Sequence, residues 1–246
     1  MSKIGKITAI ASGKGGVGKT WFAITLAHAL ARLGRKILLF DADLGLANVD
    51  IQLGLTPARD VSSWLAGRAS PAEVILPFAA GGFDILPGRS GSGNLASMED
   101  AHLDRLIELL QRQTGQYDHV LLDLGAGLDR TQRRLAASAG TLLVLVTEEP
   151  TALTDAYAVI KLHQQDQGGA DVRVVVNQAS NKAGGERTFG TLAHACTHFL
   201  QRAPNLAGVI RRDDKVRDAI RRQSLLLTRH PNCPASADVE SIASDL

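Results

Sequence analysis

Eight consecutive residues, Gly13-Lys14-Gly15-Gly16-Val17-Gly18-Lys19-Thr20, carry the most specific chemistry in this 246-residue chain. Their spacing is G-x-x-x-x-G-K-T, a loop in which glycines let successive backbone N–H groups turn toward one anion. Lys19 can reach the β- and γ-phosphates of a nucleotide, and the Thr20 hydroxyl can ligate Mg²⁺. The same letters satisfy G-x-G-x-x-G through Gly13, Gly15 and Gly18, and Asp41 lies about where a dinucleotide site keeps its ribose-binding acid. A NAD site, however, has no use for Lys-Thr directly after the last glycine. Asp41, Asp43 and Asp123 instead supply the acids with which a phosphoryl-transfer site holds Mg²⁺ and water. The chemistry indicated is binding of a nucleoside triphosphate.

Strand and helix patterns place these groups. Residues 6–12 read as an apolar strand ending at the loop, and residues 21–33 as a helix apolar on nearly every face, whose N-terminus adds partial positive charge for a phosphate. Residues 36–40 form a second buried strand with Asp41 and Asp43 at its carboxyl end, where ligands collect in open parallel sheets. Residues 117–122 form another, terminating in Asp123-Leu124-Gly125-Ala126-Gly127. An apolar strand ending in Asp suits an acid that holds a Mg²⁺ water, with glycines that let the next loop sense the γ-phosphate; a capping role for Asp123 is the competing account.

Further strands are predicted over 83–86, 141–146, 172–176 (ending in Asn177) and 206–210, and helices over 59–65, 103–110 and 150–163. Pro57, Pro71 and Pro77 punctuate a less regular stretch, and residues 88–93 read as a Gly/Ser-rich loop, mobile or nucleotide-sensitive. The alternation implies one α/β domain over 1–246, a doubly wound, mainly parallel sheet with helices on both faces. Residues 228–246 read as a connection and tail.

An apolar fraction of 45% suffices for a sheet covered on both faces, and a formal charge of +2 gives no global field that demands nucleic acid or anionic lipid. Cys196 and Cys233 share no ligand spacing and read as thiols of a reducing compartment. With no signal peptide and no membrane-length apolar run, the expected location is cytoplasmic. His194 and His198, four apart on a helix, could face one metal but have no third ligand. The basic run Arg211, Arg212, Lys215, Arg217, Arg221 and Arg222 is interrupted by Asp213, Asp214 and Asp218, which favours a solvated helix laced with ion pairs over a nucleic-acid surface. The C-terminal Val239, Ile242 and Leu246 are accompanied by Asp238, Glu240 and Asp245, acids that anionic lipid repels.

The loop resembles the deviant Walker A of the MinD/ParA class, whose mark is an early extra lysine, here Lys14. The run from Asp41 to Asp50, Leu53-Gly54-Leu55, Leu86-Pro87-Gly88-Arg89-Ser90-Gly91, Asp123-Leu124-Gly125-Ala126-Gly127 and the run from Glu149 to Tyr157 resemble the flagellar-number ATPases of the FlhG/FleN type. The resemblance covers essentially the whole chain. It implies a P-loop ATPase that forms a homodimer around two sandwiched ATP molecules, hydrolyses ATP to ADP with Mg²⁺, and acts on flagellar proteins: a flagellar GTPase, the switch complex or a transcriptional regulator. A DNA-partition or division-site role is the alternative within the class, with the inner membrane or cell pole as a possible station.

By the same resemblance Lys14 crosses to the partner's phosphates, Lys19 binds phosphate in its own subunit and Asp43 orients the attacking water. Thr20 ligates the metal, and Asp41 and Asp123 support it through water. Asn177 and the backbone of Arg211-Arg212-Asp213 contact adenine; guanine's Asn-Lys-x-Asp is absent, since Ala183-Gly184 follows Asn181-Lys182. Trp21 and Leu124 depart from the pattern, standing where a small hydroxyl residue and Thr are usual. The family's N-terminal activating extension is not seen before the first strand.

Overall fold

In chain order the structure runs β1 (Lys6–Ser12), α1 (Lys19–Arg32), β2 (Ile37–Ala42) and three short helices, α2 (Val49–Leu53), α3 (Val61–Leu65) and α4 (Pro71–Val74). Then come β3 (Leu76–Phe78), β4 (Phe83–Leu86), α5 (Asp100–Gln113), β5 (His119–Ala126), α6 (Arg130–Ala137), β6 (Thr141–Val146) and α7 (Pro150–Asp166). The chain closes with β7 (Asp171–Ala179), α8 (Lys182–Leu200), β8 (Asn205–Arg211), α9 (Asp214–Arg221), α10 (Leu226–Arg229) and α11 (Pro234–Ser244). This is a computed structural model, and it describes residues 6–88, 98–127, 129–166 and 171–246. The loop predicted over 88–93 lies, after Gly88, outside the described residues.

The eight strands form one sheet in the order β3-β4-β2-β5-β1-β6-β7-β8. Every neighbouring pair is parallel except β3 with β4. β3 carries Pro77, which has no N–H to give to a ladder and is tolerated on an edge strand. β1 sits between β5 and β6, where successive connections leave toward opposite edges of the sheet. The crevice beyond its carboxyl end is where a doubly wound sheet binds ligands.

Strand side chains alternate between two cores. Ala9, Ala11, Phe40, Leu122, Val144 and Val176 face the layer of α5 to α8, and Ile10, Leu39, Leu121, Leu143 and Val175 face α1, α10 and α11. Burial on both faces explains why the strands read as continuous apolar runs. It also explains α1, which lies between the sheet and α11 and is apolar on nearly every side.

Residues 228–246, read from sequence as a connection and tail, comprise the end of α10, a turn and α11. Ala235, Val239 and Ile242 of α11 are buried against α1 and β8. Its acids are tied into the body: Asp238 is buried and paired with Arg211 at 2.9 Å and Lys182 at 2.8 Å, while Glu240 meets Arg32 at 2.9 Å. Among the described residues no helix is long and apolar enough to cross a membrane.

Candidate functional site

The glycine loop leaves β1 at Ser12 and enters α1 at Lys19. Gly18 takes φ +94°, a conformation that side-chain-bearing residues rarely adopt, and Gly16 takes φ +79°. Gly13 is required by close approach: a β-carbon there meets the backbone oxygen of Asp155, on α7, at 2.5 Å. The start of α1 has no side-chain cap and no acid in its first turn. Its leading N–H groups and its positive dipole end therefore remain for an anion.

Lys19 is buried, and its Nζ donates to the Ser12 hydroxyl at 2.9 Å; that hydroxyl in turn donates to the Lys14 carbonyl at 2.7 Å. Burial lowers the Lys19 pKa, with the charges of Asp123 and Asp43 pulling it back up. Asp123 is also buried, and among the described residues neither carboxylate oxygen has a partner at good hydrogen-bond geometry, although the Thr20 hydroxyl is near enough to favour the charged form. Burial drives its pKa up and Asp43 adds to that, while Thr20 and Lys19 work in the opposite direction. A buried carboxylate without partners beside a lysine and a threonine hydroxyl is the donor set that a hydrated Mg²⁺ would complete.

Asp123 lies within β5 rather than at its end, because β2 pairs with the strand through Leu124 and β1 through Ala126. Asp41 likewise lies inside β2, opposite Asp123 in register. Its carboxylate accepts the N–H groups of Asn48 at 2.9 Å, Val49 at 2.8 Å and Asp43 at 3.4 Å, so it ties the following loop and the start of α2 to the strand. Burial first, and then the charge of Asp123, raise its pKa well above the usual carboxylate value. Asp43 follows the strand directly, and its Oδ1 accepts the N–H of Leu46 at 3.2 Å.

The remaining residues singled out from sequence are distributed as follows. Lys14 is exposed and its Nζ donates to Glu149 Oε2 at 2.6 Å, a contact that raises the lysine's pKa and lowers the glutamate's. Val17, within the loop, and Trp21, in the first turn of α1, are buried in the same core, the indole Nε1 without a hydrogen-bond partner among the described residues. Asn177 braces the loop from β7: its Nδ2 donates to the Val17 carbonyl at 2.8 Å, and its Oδ1 accepts the N–H of Gln178. Both ends of that amide are thus engaged within the protein. Arg211 is committed to Asp238, Arg212 donates its N–H to the Ala179 carbonyl, and Asp213 caps α9 through the N–H of Lys215. His194 and His198 lie on the exposed face of α8, Cys196 on its buried face. Among the described residues no cluster of His, Cys, Asp and Glu suits a metal held by protein alone.

Ser12, Glu149 and Gln132 are parts of this region that the sequence reasoning missed. Ser12 carried a signal, a hydroxyl residue immediately before the loop. Glu149 heads the run that resembles the flagellar-number ATPases, though nothing local marks it as the partner of Lys14, and Gln132 carried no signal.

The pattern described as the CobQ/CobB/MinD/ParA nucleotide binding domain matches residues 8–226. The antiactivator FleN of Pseudomonas aeruginosa is 37% identical over 97% of this chain and 85% of its own. The flagellum site-determining protein YlxH of Helicobacter pylori is 29% identical, over 97% and 80% respectively. The fold matches that of the septum site-determining protein MinD of Pyrococcus horikoshii, solved with Mg-ADP, at a TM-score of 0.82 and 23% identity over 98% of this chain and 95% of that one.

Proposed function

Because the chain belongs to the CobQ/CobB/MinD/ParA nucleotide-binding family, we propose that it is an ATP-controlled dimerisation switch that regulates flagellar number, placement or assembly. The observation that carries the ATP reading is the orphaned Asp123 carboxylate facing Lys19 and Thr20 at an uncapped helix start. The likeness to FleN and YlxH over nearly the full chain supports the flagellar part.

Gly13, Gly15, Gly16, Val17 and Gly18 present backbone N–H groups to the phosphates, and Lys19 exchanges Ser12 for β- and γ-oxygens. Thr20 would be the residue that ligates Mg²⁺, with Asp41 and Asp123 supporting it through water, and the metal when bound would supply charge neutralisation at the transferring phosphoryl group. Asp43 orients the attacking water. Lys14 leaves Glu149, an exposed and therefore weak pairing, and reaches the phosphates of a second copy, where it stabilises developing charge. Adenine lies between the end of β7 and the segment after β8. Backbone from Asn177 and Arg211-Arg212-Asp213 lines it, because the side chains of Asn177, Arg211 and Asp213 are engaged elsewhere.

ATP brings two copies together for a flagellar partner, and slow hydrolysis to ADP separates them. Sizing chromatography with Mg-ATP tests the switch: Asp43→Ala accumulates a dimer, and Lys19→Ala stays monomeric. Equal elution of the two variants counts against it. Counting flagella in cells carrying Lys19→Ala tests the biology, and an unchanged number removes the flagellar assignment. A positioning role on DNA or membrane would instead show ATP-dependent, salt-sensitive binding to nonspecific DNA or to anionic liposomes.

A further inference from the structure

Gln132 lies in the first turn of α6, is 7% exposed, and belongs to none of the motifs of the phosphate site. Asp129 caps that helix by accepting the N–H of Gln132 at 3.0 Å, which fixes where the side chain starts. The side chain crosses to the ends of two strands. Its Oε1 accepts the N–H of Gly125 at 3.0 Å, and its Nε2 donates to the Ala42 carbonyl at 3.2 Å. A primary amide is the side chain that can meet one N–H and one C=O at once, and the reversed amide would set donor against donor and acceptor against acceptor.

The location gives the bridge its meaning. Ala42 and Leu124 are the last register pair of β2 with β5, so Gln132 closes the gap where these strands part. Ala42 immediately precedes Asp43, and Gly125 opens the glycine segment after Asp123. A β-carbon on Gly125 would lie 3.0 Å from Gln132 Nε2 and 3.2 Å from Asp43 Oδ1, so the amide and the carboxylate pack against one α-carbon. Both bonds are buried, and losing the amide would strand a backbone donor and a backbone acceptor at the two chain segments that flank the reacting phosphate.

We propose that Gln132 is a positioning residue for ATP hydrolysis: it bolts the segment carrying Asp43 to the segment carrying Gly125, and so holds the water-orienting carboxylate in register with the phosphate loop. The inference rests on the role given above to Asp43. It assigns to Gln132 neither contact with nucleotide nor a part in binding it.

Gln132→Met, close in length and without hydrogen-bonding groups of comparable strength, tests this in the full chain. Three readings are taken: ATP affinity by equilibrium binding, single-turnover hydrolysis, and sizing with Mg-ATP. The expected result is unchanged affinity, hydrolysis slower by about 10- to 100-fold, and accumulation of the ATP-bound dimer as with Asp43→Ala. Hydrolysis equal to wild type at intact affinity overturns the proposal. Parallel loss of affinity, turnover and thermal stability also overturns it, because that is what a packing role gives. Should Gln132→Met fail to fold, Gln132→Glu is read the same way: it keeps an acceptor for Gly125 and loses the donor to Ala42. A wild-type protein that binds ATP and never turns it over is a different failure, which removes the role of Asp43 and this proposal with it.

Discussion

Replacing Asp123 with Asn should make the metal-free protein more stable while weakening its Mg²⁺-dependent hold on nucleotide. Among the described residues the buried carboxylate has no partner at good hydrogen-bond geometry, and burial, outweighing the opposing Thr20 hydroxyl and Lys19, is the main cause that lifts its pKa from an ordinary 3.8 to about 7. For an acid whose folded-state pKa is raised, the sign is fixed by linkage. The group costs nothing below its unfolded value, destabilises progressively as pH climbs, and exerts its full effect above the folded value.

At about pH 8 that effect is on the order of 4 kcal/mol. An Asn amide in the same place removes the charge but leaves polar atoms unpaired, at a cost of about 1–3 kcal/mol. The net gain of roughly 1–3 kcal/mol corresponds to a melting temperature higher by roughly 2–10 °C for a chain of this size. Thermal unfolding in chelator at about pH 8 reads it, and the advantage should shrink toward about pH 5, where the wild-type carboxyl takes up a proton on folding. Nucleotide titration with Mg²⁺ gives the other half, a weaker affinity for the variant. An Asn variant that melts below wild type at the higher pH, or that binds Mg-ATP as well as wild type, refutes the reasoning.

Three further outcomes follow from particular contacts. Gly13→Ala drives a β-carbon into the Asp155 backbone; denaturant unfolding should show a loss of about 1–3 kcal/mol, with weaker ATP binding. Trp64→Phe leaves Trp21, buried in the first turn of α1 directly after the loop, as the one tryptophan, and its emission should change on adding Mg-ATP; an unresponsive signal at saturation contradicts the placement of nucleotide. Ile242→Ala removes a side chain of α11 buried beside β8 and should destabilise by about 2–5 kcal/mol. Its liposome flotation should match wild type, because that face of α11 is interior.

The sequence displayed the phosphate loop and most of the sheet because both are written locally. Glycine-lysine-threonine spacing sits in consecutive residues, and strands buried on both faces are continuous apolar runs; β1, β4 and β6 come out with the bounds expected of them. Features made by distant partners were hidden. β3 is three residues long with a proline at its centre, too short and too irregular for a periodic signal. Gln132 stands in a stretch for which the sequence predicted no element, and only the divergence of β2 from β5 gives it buried partners. Asp238 reads as one acid on a tail, yet it is the anchor for Arg211 and Lys182. Asn177 stands at the predicted strand end, but its amide is turned inward to the phosphate loop, a direction that position alone does not specify.

The central claim is that the Asp123, Lys19 and Thr20 corner exists to hold a magnesium-bound triphosphate. Equilibrium titration of the purified chain with ATP, with and without Mg²⁺, tests it most directly. Saturable binding of one ATP per chain that strengthens when Mg²⁺ is supplied, and is lost in Lys19→Ala, is the expected result. Absence of ATP binding by the folded wild-type chain in the presence of Mg²⁺ would contradict the account at its root.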